Sequence, residues 1–181
     1  MNKFRVLLPA AGVVIASVGG ACAWLLLGAD SAVAVSPPNA SVPVQDICAV
    51  LYGVLPATVD GQTRDKTTPS SDLTAAWGKS PIVMTCGTAP PAQLVPGNKA
   101  YDPEDDAVYA NGVAWLPIPV SNGYEFYTVQ REVYVELFVP SSYNIGDGSP
   151  GMDAPTDLSS AIVKGTPTNQ GSSGPDIAPE E

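Results

Sequence analysis

The first hydrophobic pattern along the chain is a block. Lys3 and Arg5 precede an uncharged run from Val6 to Gly28 that includes Leu7, Leu8, Val13, Val14, Ile15, Val18 and Leu25 to Leu27. As a helix at ~1.5 Å per residue it would reach about 35 Å, enough to cross a hydrocarbon core of ~30 Å. The run predicts one N-terminal transmembrane helix, and the two bases before it hold that end in the cytoplasm, so the rest of the chain is exported. The competing expectation is a cleaved signal segment, because Ala32-Val33-Ala34 has the small-x-small form of a cleavage site. A retained single-pass anchor is the expectation, since signal h-regions are shorter than this run, at about 7–15 residues. Cleavage after Ala34 would make the protein secreted. A lipoprotein site at Cys22 fits poorly, with Gly19 where such a site wants Leu. Gly12, Ala16 and Gly20 recur at the spacing that lets membrane helices approach closely, a pattern that an Ala- and Gly-rich run also produces by chance.

Beyond the run the periodicity changes. Ile47, Val50, Leu51, Val54 and Leu55 follow the spacing of a one-sided helix that Pro56 ends. Ile82 to Thr85 reads as a short buried strand running into Cys86-Gly87. Val113 to Val120 alternates, with Ala114, Leu116, Ile118 and Val120 on one face, and Pro117 and Pro119 remove donors from the same side, as on a sheet edge. Asn122-Gly123 predicts a hairpin turn into Tyr124 to Val129. In Glu132 to Val139, residues Val133, Val135, Leu137 and Val139 face inward, and Glu132, Tyr134, Glu136 and Phe138 outward. Thr156-Asp157 can cap a last helix through Val163. The expected fold is α+β: a small antiparallel sheet of about four strands, one or two short helices on one face and one disulfide, after a single transmembrane helix.

Composition sets the boundaries. The segment 35–44 holds three prolines and reads as an extended linker, and 165–181 is too polar to order itself and reads as a disordered acidic tail. The division is therefore 1–34 anchor or signal, 35–44 linker, 45–164 globular domain and 165–181 tail. With 17 Gly and 19 Pro in 181 residues, long helices cannot dominate that domain.

Charge and chemistry narrow the function. Acids outnumber bases 18 to 8 and the formal net charge is −10, so no nucleic-acid partner is expected. Histidine is absent, which removes Ser-His triads, Cys-His pairs and His-bearing metal sites. Cys22 falls in the apolar run, and an oxidising compartment favours joining Cys48 to Cys86. Closing that loop of about 39 residues is worth about 4 kcal/mol in the chain-entropy description. A catalytic cysteine is the alternative, without a His or a CxxC partner to lower its pKa.

Cys48, Leu55-Pro56, Arg64, Ala76-Trp77-Gly78, Pro81, Cys86-Gly87 and Pro90 follow one another in order. Gly112-Val113-x-Trp115, Arg131, Tyr134-Val135, Pro140, Tyr143 and Leu158 to Ile162 continue the series. Across roughly 46–163 the chain resembles the actinobacterial exported, membrane-anchored family known as domain of unknown function 3515. Lys79 departs from the pattern, where that family tends to carry an acid. The resemblance implies an envelope location and a paired-cysteine domain, and brings no activity with it.

Several groups remain as candidates for chemistry. Asp102, Glu104, Asp105 and Asp106 could offer oxygens to Ca²⁺ but lack the spacing of an EF-hand loop, and a solvated acidic loop is the simpler reading. No metal and no cofactor is expected. Glu132 and Glu136 on one strand stand about 13 Å apart, too far to work as a hydrolytic pair. Arg64 and Arg131, the arginines of the exported part, are each expected to pair with a carboxylate, or to clamp an anionic ligand. Trp77, Trp115, Tyr109, Tyr124, Tyr127 and Tyr134 form either a satellite core or an aromatic platform. The candidate ligand or partner patch is Trp77, Arg64, Trp115, Arg131 and Tyr134. The functional expectation is a non-catalytic, membrane-anchored envelope protein that presents a disulfide-stapled domain to a membrane-complex or cell-wall protein. The alternatives are a binding module for a cell-wall glycan or peptide, and a hydrolase working through carboxylates.

Overall fold

The computed structural model describes residues 32–102 and 107–169. The expected transmembrane helix over 6–28, most of the acidic loop and residues 170–181 of the expected tail lie outside the described residues, whereas 165–169, expected to be disordered, are placed, with Thr166 buried and Thr168 bridged to Arg131. Among the described residues, no helix is long and apolar enough to cross a membrane.

The chain enters through β1 (Val33–Ala34) and continues as α1 (Val42–Val54), β2 (Thr58–Val59), β3 (Gln62–Asp65), β4 (Thr67–Thr68), β5 (Thr74–Trp77) and β6 (Ile82–Thr88). It then forms β7 (Val108–Ala110), β8 (Val113–Val120), β9 (Gly123–Val129), β10 (Tyr134–Pro140) and α2 (Asp153–Gly165). Eight strands make one antiparallel sheet in the order β2-β3-β5-β6-β10-β9-β8-β7, and β1 pairs in parallel with β4 beside it. The domain is therefore β-rich, and the expectation of an α+β fold with about four strands is corrected. The strands that periodicity missed are too short or too uniform to show a period of two. β2 is a two-residue piece, β3 reads Gln-Thr-Arg-Asp, and β5 is Thr-Ala-Ala-Trp with all four residues buried.

The sheet is curled. The amide N–H of Asp60, in the turn from β2 to β3, donates to a carboxylate oxygen of Asp157 at 2.9 Å. Asn111, in the turn from β7 to β8, donates to the carbonyl of Thr156 at 3.4 Å. Laid flat at ~4.8 Å per strand, those two edges would stand about 34 Å apart. Here both reach adjacent residues of one helix, so the sheet wraps around α2, which packs on β2 at one edge and on β7 and β8 at the other. The trough is filled by Trp77, Met84, Trp115, Phe126, Leu137, Leu158 and Ile162, all fully buried.

Helix α1 lies in the same trough, against α2 and β6. Cys48 on α1 is bonded to Cys86 on β6, with Cα atoms 5.8 Å apart. The helix starts at Val42, inside the stretch expected to be an extended linker, because Pro43 occupies its first turn, where a missing N–H costs nothing. Its apolar stripe is split: Cys48 and Leu51 are buried, whereas Val50 and Val54 are exposed. Helix α2 begins at Asp153, before the expected Thr156 cap, and Asp157 instead serves the Asp60 turn.

On β10 the expected alternation holds, with Val135, Leu137 and Val139 inward. On β8 it is reversed: Trp115 faces the trough, and Ala114 and Leu116 are buried on the opposite face. Pro117 and Pro119 do lie along an unpaired edge, because β7 covers only Val113 to Trp115. The hairpin is closed by Ser121-Asn122, with Val120 paired to Gly123. Gly123 is needed for a close approach, since a Cβ there would collide with the Val139 carbonyl oxygen.

Gly165 sets the separation of the two helices, for a Cβ there would stand 2.5 Å from the Leu51 Cα. Gly165→Ala should therefore destabilise the full chain by about 1–3 kcal/mol through overpacking, against its gain in helix propensity. Gly53→Ala, in open space on α1, should stabilise by up to about 1 kcal/mol. Denaturant unfolding of both variants in mild detergent checks the opposite signs.

Candidate functional site

The residues singled out from sequence separate into different environments. Trp77 sits at the end of β5 and Trp115 on β8, both with no exposed surface. Each indole N–H is satisfied inside the fold: Trp77 donates to the Pro56 carbonyl at 3.2 Å, and Trp115 to the Ser159 hydroxyl at 3.1 Å. Both are core, so neither lines a groove. Tyr134 is half-buried on the other face of the sheet, opposite Thr88.

The arginines find no carboxylate among the described residues, contrary to expectation. Arg64 lies across from Trp77 in the β3–β5 register, and its guanidinium stacks 4.2 Å from the Tyr52 ring centre and 5.9 Å from that of Trp77. A planar, weakly hydrated cation is suited to that cation–π site. One of its terminal nitrogens is buried without a hydrogen-bond partner. Arg131 donates to the carbonyls of Thr166 at 3.0 Å and Gly112 at 3.1 Å. It thereby ties the β9–β10 connection to the end of α2 and to the β7–β8 turn, and desolvation lowers its pKa. Of the five patch residues, only Arg64 and Trp77 are brought together, with Tyr52 as the third member.

The cluster that sequence reasoning missed is on the outer sheet face. Glu136 on β10 stands across from Tyr127 on β9, with Glu125 two residues before that tyrosine on the same face. The Tyr127 hydroxyl lies 3.1 Å from a Glu125 oxygen and 3.2 Å from a Glu136 oxygen. Glu136 thus has a nearby carboxylate after all, one strand away. One phenolic proton cannot serve two carboxylates. The arrangement is satisfied when Glu136 is protonated and donates to the tyrosine oxygen, which then donates to Glu125. The Glu136 pKa is raised, first by desolvation and then by the charge of Glu125, against the Tyr127 hydrogen bond, which lowers it. The Tyr127 pKa is raised by burial and by the two carboxylates. The tyrosine oxygen occupies the place a water or substrate would need between the acids, so the pair fits a held proton better than hydrolysis. The signal was present as Glu125-x-Tyr127, but the register that adds Glu136 depends on the β9–β10 connection.

A second feature lies beside α1. A pocket of about 370 Å³ is lined by Pro37, Pro38, Asp46, Ala49, Asp72 and Leu73 among others. No group of three or more His, Cys, Asp or Glu among the described residues is placed to hold a metal ion. Of the acidic loop, Asp102 is described, and its amide N–H donates to the Gln93 carbonyl at 3.2 Å.

The model of a family described as "Protein of unknown function (DUF3515)" matches residues 6–170. No curated protein and no solved structure matches the chain.

The Glu136 assignment carries a pH dependence. A carboxyl whose pKa is raised on folding stabilises the fold below its unfolded pKa, near 4.5, and loses that contribution as pH rises through the folded value. The contribution of Glu136 should therefore be full below about 4.5 and be lost as pH rises through its raised, folded-state value. Glu136→Gln, which keeps a donor for the tyrosine oxygen, should be flatter over that window and melt higher than wild type at pH 7. Thermal unfolding of the two proteins across the window checks this.

Proposed function

Because the chain belongs to the DUF3515 family of proteins of unknown function, its role has to come from its own residues, and we propose that it is a non-catalytic, membrane-anchored cell-envelope protein. Its disulfide-stapled domain is presented outside the membrane to a membrane-complex or cell-wall protein. The observation that carries this reading is the position of β1. Val33 and Ala34 are two of the three residues of the small-x-small motif, and both are paired with Thr67 and Thr68 of β4. The Val33 amide donates to the Lys66 carbonyl at 2.8 Å, and the Val35 amide to the Thr68 carbonyl at 3.1 Å. Cleavage after Ala34 would remove that strand from the domain. Retention keeps it, and with it a short connection to the apolar run. Ala29 to Ala32 separate Gly28 from β1, so the end of the run and the first strand stand at most about 17 Å apart. A domain on so short a lead is held close to the bilayer.

The glycan-binding alternative loses its platform with the burial of Trp77 and Trp115. For the hydrolase alternative, the Glu125–Glu136 pair is already bridged by the Tyr127 hydroxyl.

The mature protein should sit in the membrane fraction with an intact mass of 18.6 kDa for the full chain. Gentle-detergent purification of the tagged protein from its own membranes should recover a stoichiometric partner. A soluble form beginning at Val35, or recovery of the protein alone, would contradict the reading.

A further inference from the structure

Helix α1 faces solvent with a surface that belongs in an interface. Its inward side, Cys48 and Leu51, is fixed to β6 and α2. Its outward side carries Val42, Ala49, Val50, Gly53 and Val54, all exposed, with Val42 69% and Val50 57% accessible. Asp46 is the one charged side chain in the thirteen residues of the helix. Ala49 and Gly53 are one turn apart, and nothing lies within 4 Å of where a Gly53 Cβ would stand. A second element could therefore approach the backbone closely there. The helical spacing places Asp46 between Val42 and Val50, so these exposed apolar positions surround one charge, and exposed apolar groups gathered in this way mark an interaction site.

The adjoining pocket says what kind of partner fits. Asp46 of α1 and Asp72, in the turn before β5, both line it, and Pro37, Pro38, Ala49 and Leu73 supply apolar lining. Neither carboxylate has an ion-pair partner among the described residues. We propose that the outer face of α1 and this pocket together form the partner-docking surface. Its occupant is an apolar segment of a membrane-complex protein that places one Arg or Lys side chain in the pocket. The proposal rests on the reading that the domain serves a protein partner, and names the surface and the chemistry.

Charge complementarity favours this occupant over a second copy of the chain. With 18 acids against 8 bases, a second copy would bring mainly negative charge, and its α1 has no base to offer. Both carboxylates are exposed, so each pairs only weakly with a cation on its own, and an occupant that meets both, with apolar contact to the prolines and Leu73 beside them, gains more than from either pair alone. The apolar stem of Arg or Lys suits the rest of the lining. A membrane-complex protein is favoured over a wall component because β1 begins within about 17 Å of the end of the apolar run.

The test uses the tagged full-length chain in its own membranes, with a photo-crosslinking amino acid in place of Val50 and, as control, of Tyr109 on β7. The proposal expects a protein adduct from position 50 and none from 109. The linked peptide should be apolar with an Arg or Lys next to the link. In an Asp46→Lys, Asp72→Lys double variant with unchanged thermal unfolding, adduct yield should fall at least tenfold. An adduct with a second copy of the chain, an adduct with lipid alone, or a yield indifferent to the double variant would overturn it. If the wild type purifies with a partner but position 50 gives no adduct, this surface is wrong and the reading behind it stands. If neither a partner nor an adduct appears, the reading itself fails.

Discussion

The bond between Cys48 and Cys86 is the constraint on which the rest of the structure depends. It joins α1 to β6, a strand in the middle of the eight-stranded order, across a sequence separation of 38. In the chain-entropy description a cross-link of that span removes about 4 kcal/mol of freedom from the unfolded chain, a large share of the stability of an ordinary domain. More locally, it fixes which side of α1 is inside. With Cys48 and Leu51 turned to the trough, Val42, Val50 and Val54 have to face out. A helix that is apolar along most of its length is thereby given a wet face on which Gln45 and Asp46 stand among exposed valines.

The second constraint is the wrapping of the sheet around α2. Asp60 and Asn111, in turns at opposite ends of the strand order, both hydrogen-bond to the 156–157 region of that helix. Closing the trough in this way leaves few places for a cleft. Trp77 and Trp115 become core, and Arg64 and Arg131 become internal fasteners, one on aromatic rings and one on carbonyl oxygens. Side chains that look like recognition chemistry in the sequence are consumed in holding the fold.

What was legible in the sequence follows the strength of the local signal. The alternation on β10, the unpaired proline edge of β8 and the hairpin near Asn122 rest on short-range rules, and the disulfide partners, 38 residues apart, on there being two cysteines left once Cys22 is assigned to the apolar run. The strands β2, β3, β5 and β7 were not legible, because two to four residues cannot display a period. The facing of β8 was misread because Ala114, Leu116, Ile118 and Val120 look like a core face, whereas the larger Trp115 takes the trough. The Arg64 site needed Tyr52, Arg64 and Trp77 brought together from three elements. The Glu125–Tyr127–Glu136 cluster needed a cross-strand register. Neither is a property of any one segment.

If the domain is held against the membrane by its own first strand, the β1–β4 ladder must be a stable part of the fold, which amide hydrogen exchange of the full-length protein in micelles measures directly. The account predicts that the Val33 and Val35 amides, bonded to the Lys66 and Thr68 carbonyls, are protected together with those of β6 and β10. Exchange at those two positions at the rate of an unstructured chain, with the central strands still protected, would contradict it.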